Sequence, residues 1–253
     1  MIVLDVGNTN IVIGIYIKNK LNQVFRIDTE KNKKKFKRKF ESFINTNEKN
    51  FLKSDDKFCI LSSVVPSLNL LIKNIFLKKK FIFYIIDPKN IPMKIRINYK
   101  LNQIGSDRVA NFIAIYSKKI PNCIIVDFGT ATTFDVIKNN EYFGGIIFPG
   151  ITLSMNTLIN NAELLKNSKV TKVKNIIARD TDSSIKSGFY FGYLHAINGI
   201  LEQIIKENKF KPKIYLTGGL GKIFKDKISF NPIYNEYLTL EGVSLIGKYL
   251  QNE

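Results

Sequence analysis

Two short stretches of the chain pair a carboxylate with a glycine turn. Asp5 is followed by Gly7, Asn8 and Thr9, and Asp127 by Gly129, Thr130 and Thr132. A glycine turn lets backbone N–H groups approach a phosphate because no Cβ stands in the way. A carboxylate beside that phosphate repels it unless a cation lies between the two. The pair of motifs therefore points to a nucleotide that arrives with a metal ion, whereas one such motif alone would read as a capped hairpin. The two Asp residues are 122 positions apart in 253, and self-similarity at half the length predicts a duplicated domain.

A third feature is GSDR at 105–108, where Asp107 and Arg108 open a helix. A carboxylate there can accept a hydroxyl proton while the neighbouring guanidinium grips an anionic group. An acid favoured by the helix dipole explains Asp107 equally well at this stage. TGGLG at 217–221 follows an apolar strand, so Gly218 and Gly219 read either as an adenine or ribose platform or as an ordinary helix entry. The chain has no GxxxxGK[ST], and Phe224 stands where GxGxxG needs its last Gly, which disfavours Walker-type and Rossmann sites. His195 is the only histidine and, with Phe189, Tyr193 and Ile197 around it, reads as a buried or half-buried structural residue. Gly188, Gly192 and Gly199 share its segment and predict close helix packing, including against another subunit.

The elements that must position these residues alternate. Apolar, β-branched runs at 2–6 and 11–17 flank GNTN and predict a hairpin with a polar tip. A strand at 21–27, a helix at 33–47, a strand at 57–64, a helix from Pro66 to Leu77 and strands at 81–86 and near 94–97 follow. Helical spacing of Val109, Phe112, Ile113 and Tyr116 marks a helix at 107–119. The pattern then restarts with strand, turn and strand at 123–137, a strand at 142–148, helices near 150–160 and 182–207, a strand at 213–217 and a closing helix at 240–250. Strands alternating with helices make the class α/β.

Composition narrows the functions. With 45% hydrophobic and 24% charged residues the chain is neither disordered nor a disulfide scaffold. MIVLDVGNTN opens as a buried strand with no basic leader, and no apolar run is long enough to span a bilayer, so a cytoplasmic protein without membrane contact is expected. Cys59 and Cys123 lie in apolar runs and read as buried thiols. The net charge of +18 raises polyanions as partners, yet the basic residues are 34 Lys against 5 Arg, and 39 Ile and 27 Asn accompany them. That bias follows A/T-rich codons, and scarce Arg argues against nucleic acid as partner. The dense run KNKKKFKRKF at 31–40 reads as a solvated helix face.

The order of these motifs resembles the acetate and sugar kinase, heat-shock ATPase and actin superfamily. Within it the chain looks most like type III pantothenate kinase: DVGNTN, LSSVVP at 61–66, GSDR, VDFGTATT at 126–133, GGIIFPG at 144–150, RDT at 179–181 and TGGLG fall in that family's order. The resemblance implies a duplicated ribonuclease H-like, actin-like ATPase fold of two lobes, mixed sheets flanked by helices, at 1–118 and 119–253, with the site between them. It implies transfer of the ATP γ-phosphoryl group to the primary hydroxyl of pantothenate, with Mg2+ and a monovalent cation, K+ or NH4+. Asp5, Val6, Gly7, Asn8, Thr9, Asn10, Ile11 and Val12 would form the first ATP loop, and Thr130 would contact ATP in the second. Asp107 would be the catalytic base. Tyr99, Gly105, Ser106, Asp107, Arg108 and Thr181 would line the pantothenate pocket, Asp127 would bind the monovalent cation, and the protein would be a homodimer. The chain departs from the family pattern at Asn102, where Pro is common, at Ser106, where Ala is usual, and at Ala178 and Asp180 before Thr181. A non-catalytic accessory or nucleic-acid-associated relative, and a kinase of another small acidic alcohol, remain the alternatives.

Overall fold

The computed structural model describes residues 1–52, 57–162 and 168–252. Its first sheet has the order β3-β2-β1-β4-β5, built from β1 (Ile2–Val6), β2 (Asn10–Ile17), β3 (Lys20–Asp28), β4 (Phe58–Ser63) and β5 (Ile82–Ile85). β1 is the central strand: antiparallel to β2, parallel to β4, and apolar at four of its five residues because both faces are covered. Helices α1 (Lys33–Thr46), α2 (Glu48–Phe51) and α3 (Pro66–Lys78) connect these strands, with Pro66 at the first helical position of α3. Phe36, Phe40 and Ile44 recur at helical spacing and bury one face of α1 in a core with Leu4, Ile13, Phe51, Leu61 and Phe76. The lysines of the 31–40 run lie outward, two of them against Glu30, Lys35 at 3.0 Å and Lys39 at 4.0 Å.

The second sheet repeats the first. After β6 (Arg96–Ile97) and α4 (Ser106–Ser117) come β7 (Cys123–Phe128), β8 (Ala131–Lys138) and β9 (Glu141–Pro149), then α5 (Ile151–Asn160) and α6 (Thr181–Asn208). β10 (Lys213–Thr217), α7 (Gly221–Phe224), β11 (Ile233–Tyr234) and α8 (Leu238–Gln251) close the order. The sheet order β11-β10-β7-β8-β9-β6 is the first sheet's order with β6 added on β9. Pairing senses match as well: β7 is antiparallel to β8 and parallel to β10. Even the bulge is duplicated, between Ile15 and Tyr16 in one half and between Val136 and Ile137 in the other. The hairpin turns differ by one residue, since Asp5 pairs with Val12 and Asp127 with Thr133.

The chain divides into two compact units, Met1–Ile95 with Tyr99–Lys118 and Leu238–Glu253, and Arg96–Asn98 with Lys119–Tyr237. The chain passes from the first unit to the second after Lys118, and α8 lies with the first unit and not with the second. α8 crosses α4 at Gly242, where a Cβ would overlap the Ala110 carbonyl. Thr239 Oγ1 donates to Asn111 Oδ1 at 2.9 Å, and Lys118 pairs with Glu241. Arg96–Asn98 joins the second unit because β6 pairs with β9 and the Asn98 N–H donates to the Tyr142 carbonyl. In that unit α6 packs Tyr190, Ile197 and Leu201 against Ile124, Val126 and Phe134.

His195 corrects the sequence expectation: it is exposed, because its position on α6 faces away from Leu194 and Ile197. Cys59 and Cys123 are buried free thiols, as their apolar surroundings suggested.

Candidate active site

In the first unit the hairpin tip is held from below. The Gly7 N–H donates to the Asn10 carbonyl at 3.0 Å, Thr29 Oγ1 donates to the Gly7 carbonyl at 2.7 Å, and the Thr29 N–H donates to the Thr9 carbonyl at 2.9 Å. These bonds fix the turn while Asn8 and Thr9 stay exposed. Val6 and Ile11 are fully buried, so only their backbone can serve a ligand; Val12 is half-buried.

Asp5, the last residue but one of β1, is half-buried, and β4 supports it from the side. The register places Ser62 beside it, and Ser62 Oγ donates to Asp5 Oδ1 at 3.2 Å. Ser62 Oγ lies 3.0 Å from Ser106 Oγ, at the first turn of α4, and the Ser63 N–H donates to Ser106 Oγ at 2.8 Å. Ser106 is therefore buried behind the site, which makes it a supporting residue and not a lining one.

Asp107 follows in the same turn. Its carboxylate folds back over Gly105, where a Cβ would overlap Asp107 Oδ1, and that oxygen accepts the Arg108 N–H at 2.8 Å. Burial raises the Asp107 pKa above its ordinary 3.8, opposed by the Arg108 N–H and the Arg108 charge. A half-buried carboxylate with raised proton affinity is suited to accept a proton. The Arg108 side chain is almost fully buried, with its guanidinium 5.4 Å from the centre of the Tyr99 ring. Tyr99, Gly105, Ser106, Asp107 and Arg108 thus lie together, despite the altered loop at Asn102, because ring and guanidinium stack.

The second unit carries the other turn. The Gly129 N–H donates to the Ala131 carbonyl at 3.1 Å, leaving Gly129 and Thr130 exposed. Gly150, at the N-cap of α5, backs this turn so closely that a Cβ would overlap the Thr130 carbonyl oxygen. Gly218, with φ +80°, backs the strand end: its Cβ would lie 2.8 Å from Asp127 Oδ1 and 2.7 Å from the Phe128 carbonyl oxygen. The glycine pair of TGGLG therefore packs against Asp127 through Gly218, while nothing lies near the Cβ position of Gly219. Thr181 opens α6 beside Asp180, whose carboxylate accepts the Ser183 N–H at 2.9 Å. It belongs to the second unit, whereas Asp107 and Arg108 belong to the first.

Hard oxygen donors suit both expected cations. Among the described residues no group of three His, Cys, Asp or Glu could hold an ion unaided. Asp127 Oδ1 and the Phe128 carbonyl are oxygen donors of the kind a monovalent ion takes, and Gly218 packs against both.

A family model described as type III pantothenate kinase matches residues 1–203. The chain belongs to this family. It is 36% identical to the type III pantothenate kinase of Citrifermentans bemidjiense over 97% of this chain and 98% of that one. It is 38% identical to that of Pelagibacter ubique over 96% of each. Among solved structures, a Campylobacter jejuni protein described as a Baf family transcriptional activator superposes with a TM-score of 0.59 at 23% identity, covering 100% of both chains. A Porphyromonas gingivalis protein described as an N-acetylglucosamine kinase superposes with a TM-score of 0.51 at 10% identity, covering 100% of this chain and 99% of that one. These two share this chain's fold of two mixed sheets flanked by helices. The family and the α/β fold expected from the motifs are borne out, and the activity is ATP-dependent phosphorylation of pantothenate in coenzyme A biosynthesis.

Sequence inspection missed Ser62 and Gly150. Ser62 and Thr217 occupy the same place in the repeat, each paired with the motif Asp across parallel strands. Extending the internal alignment from the turns to LSS and LTG would have exposed both. Gly150 has no such signal, because its role depends on a backbone approach from another loop.

Proposed function

We propose that Asp107 is the base of the pantothenate kinase reaction and that Arg108 holds the pantothenate carboxylate. The observation that carries this is the half-buried Asp107 carboxylate, held over Gly105 and raised in proton affinity, one residue from a guanidinium stacked on Tyr99. Asp107 takes the proton of the primary hydroxyl as that oxygen bonds to the γ-phosphorus and the bond to the β,γ-bridging oxygen breaks, releasing ADP. The backbone N–H groups of the turns after Asp5 and Asp127 orient phosphates, with Asn8, Thr9 and Thr130 at their exposed tips. Phosphoryl transfer needs positioning and charge neutralisation more than covalent chemistry, which fits a site built without His or Cys. Mg2+ bound with the nucleotide beside Asp5, and K+ or NH4+ beside Asp127, would supply positive charge to the phosphates.

The test is formation of 4'-phosphopantothenate from ATP, Mg2+ and pantothenate by the purified protein, followed by product mass, in potassium and then sodium buffer. Turnover that depends on pantothenate and falls in sodium is expected. Equal rates in both buffers would remove the cation role of Asp127. Arg108→Ala should raise the pantothenate KM about 100-fold while leaving the ATP KM within about threefold, the loss expected of a buried charge-assisted contact. Equal changes in both constants would remove Arg108 from the carboxylate site.

We also propose a homodimer formed through α6. Gly188 and Gly192 are exposed, with nothing near their Cβ positions, and they floor an apolar groove of about 510 Å³ walled by Phe148, Leu158, Phe189 and Tyr193. Leu153 and Leu158 extend this apolar surface along α5. Thr181 lies in the same groove, which would bring it to a substrate pocket shared between subunits. Leu158→Glu should convert a dimer to a monomer in light scattering, and a monomeric parent protein would sink the proposal. The chemistry proposed suits the cytoplasm, where ATP and K+ are abundant. Among the described residues no helix is long and apolar enough to cross a membrane.

A further inference from the structure

The hydroxyl pair behind Asp5 has a direction. An ionised carboxylate only accepts, so Ser62 must give its one proton to Asp5 Oδ1. Ser62 Oγ can then meet Ser106 Oγ at 3.0 Å only as acceptor, which commits the Ser106 proton to Ser62 and not to the Ser63 carbonyl at 3.2 Å. The Ser63 N–H completes the chain by donating to Ser106 Oγ at 2.8 Å. The result is a head-to-tail series from backbone N–H through two buried hydroxyls to a carboxylate, in which each bond polarises the next. Both hydroxyls are closed to solvent, Ser62 at 0% and Ser106 at 4% exposure.

The repeat supplies an internal comparison. Thr217 stands at the Ser62 place beside Asp127, yet it directs its hydroxyl to the Glu236 carbonyl at 3.4 Å. The strand pairing is the same in both halves, so the fold does not require the hydroxyl to face the carboxylate. A series that the fold does not require, and that ends on the carboxylate beside the first glycine turn, bears on the site itself.

We infer that Ser106 is a positioning residue for Asp5, acting through Ser62, and that it ties the nucleotide end of the site to the first turn of the helix carrying Asp107. This rests on the proposed placement of Asp5 at the nucleotide. Ser106→Ala should raise the Mg-ATP KM and lower kcat, each about fivefold to tenfold, with the pantothenate KM changed less than twofold, as expected when a hydrogen bond supporting a charged group is lost. Ser62→Ala should do the same. The double variant should be no worse than either single one, because cutting the series once already releases Asp5. Titration of the full chain with Mg-ADP, without pantothenate, should show the same loss of affinity. Melting temperatures of the variants identify any loss that comes from misfolding. Unchanged nucleotide affinity in folded Ser106→Ala, or single effects that multiply in the double variant, would overturn the inference. If the parent protein does not phosphorylate pantothenate while Ser106→Ala still weakens Mg-ADP, the substrate assignment falls and the positioning role stands.

Discussion

Asp107→Asn is expected to lower kcat by about 10²- to 10⁴-fold, the range that a positioned general base contributes. The amide fits the same space over Gly105 and can still accept the Arg108 N–H through its oxygen, so nucleotide binding should stay within about twofold of the parent. The pH dependence carries the same signature. In the parent, kcat/KM should fall as pH drops through the Asp107 pKa, which burial holds above 3.8. Stability runs the other way. A carboxyl whose folded-state pKa is raised contributes stability that is full below its unfolded value and lost as pH rises through its folded one. At pH 7 the parent therefore holds this carboxylate at a cost that Asn does not carry, and Asp107→Asn should melt no lower than the parent. The advantage should vanish below about pH 4, where the parent's carboxyl is itself protonated. Retention of full activity in this variant, measured as phosphopantothenate formed, would remove Asp107 as the base.

Gly150→Ala is expected to lower kcat/KM for ATP by about 10²-fold. The new methyl would occupy the place of the Thr130 carbonyl oxygen and also press on the Gly129 carbonyl, 2.9 Å away, so the second glycine turn must shift. A displacement of about 1 Å in a phosphate-orienting group costs a factor of this size. Gly150 itself has φ −73°, open to any residue, so the effect would come from the collision and not from backbone strain. Equal nucleotide binding by parent and Gly150→Ala in a fluorescent-ADP titration would show that the turn plays no part.

Most elements were legible because each carried a local signal. β1 and β7 announced themselves as apolar runs ending in Asp-x-Gly, α1 by the spacing of Phe36, Phe40 and Ile44, and α3 by Pro66. The grouping of Gly105, Asp107 and Arg108 was legible for the same reason, as they share one turn. What escaped depended on contacts distant in sequence. No local pattern tells α8 which sheet to cover, and the decision rests on Gly242 fitting against Ala110. Ser106 looked like a pocket residue because its neighbours did, but the first turn of α4 points it back towards Ser62. His195 has apolar neighbours in sequence, yet its own place on α6 faces outward.

The placement of α8 has a consequence for synthesis. Domains generally fold in the order in which they leave the ribosome, the N-terminal one first. Here the unit that contains Asp5 and Asp107 takes its last helix from residues 238–251, so the second unit has all its residues before the first does. A chain interrupted just after Tyr237 would carry all of the second unit and lack the helix that covers α4. Such a product would expose the apolar α4 residues that α8 covers in the finished chain, the kind of surface that makes a partly folded chain prone to aggregate.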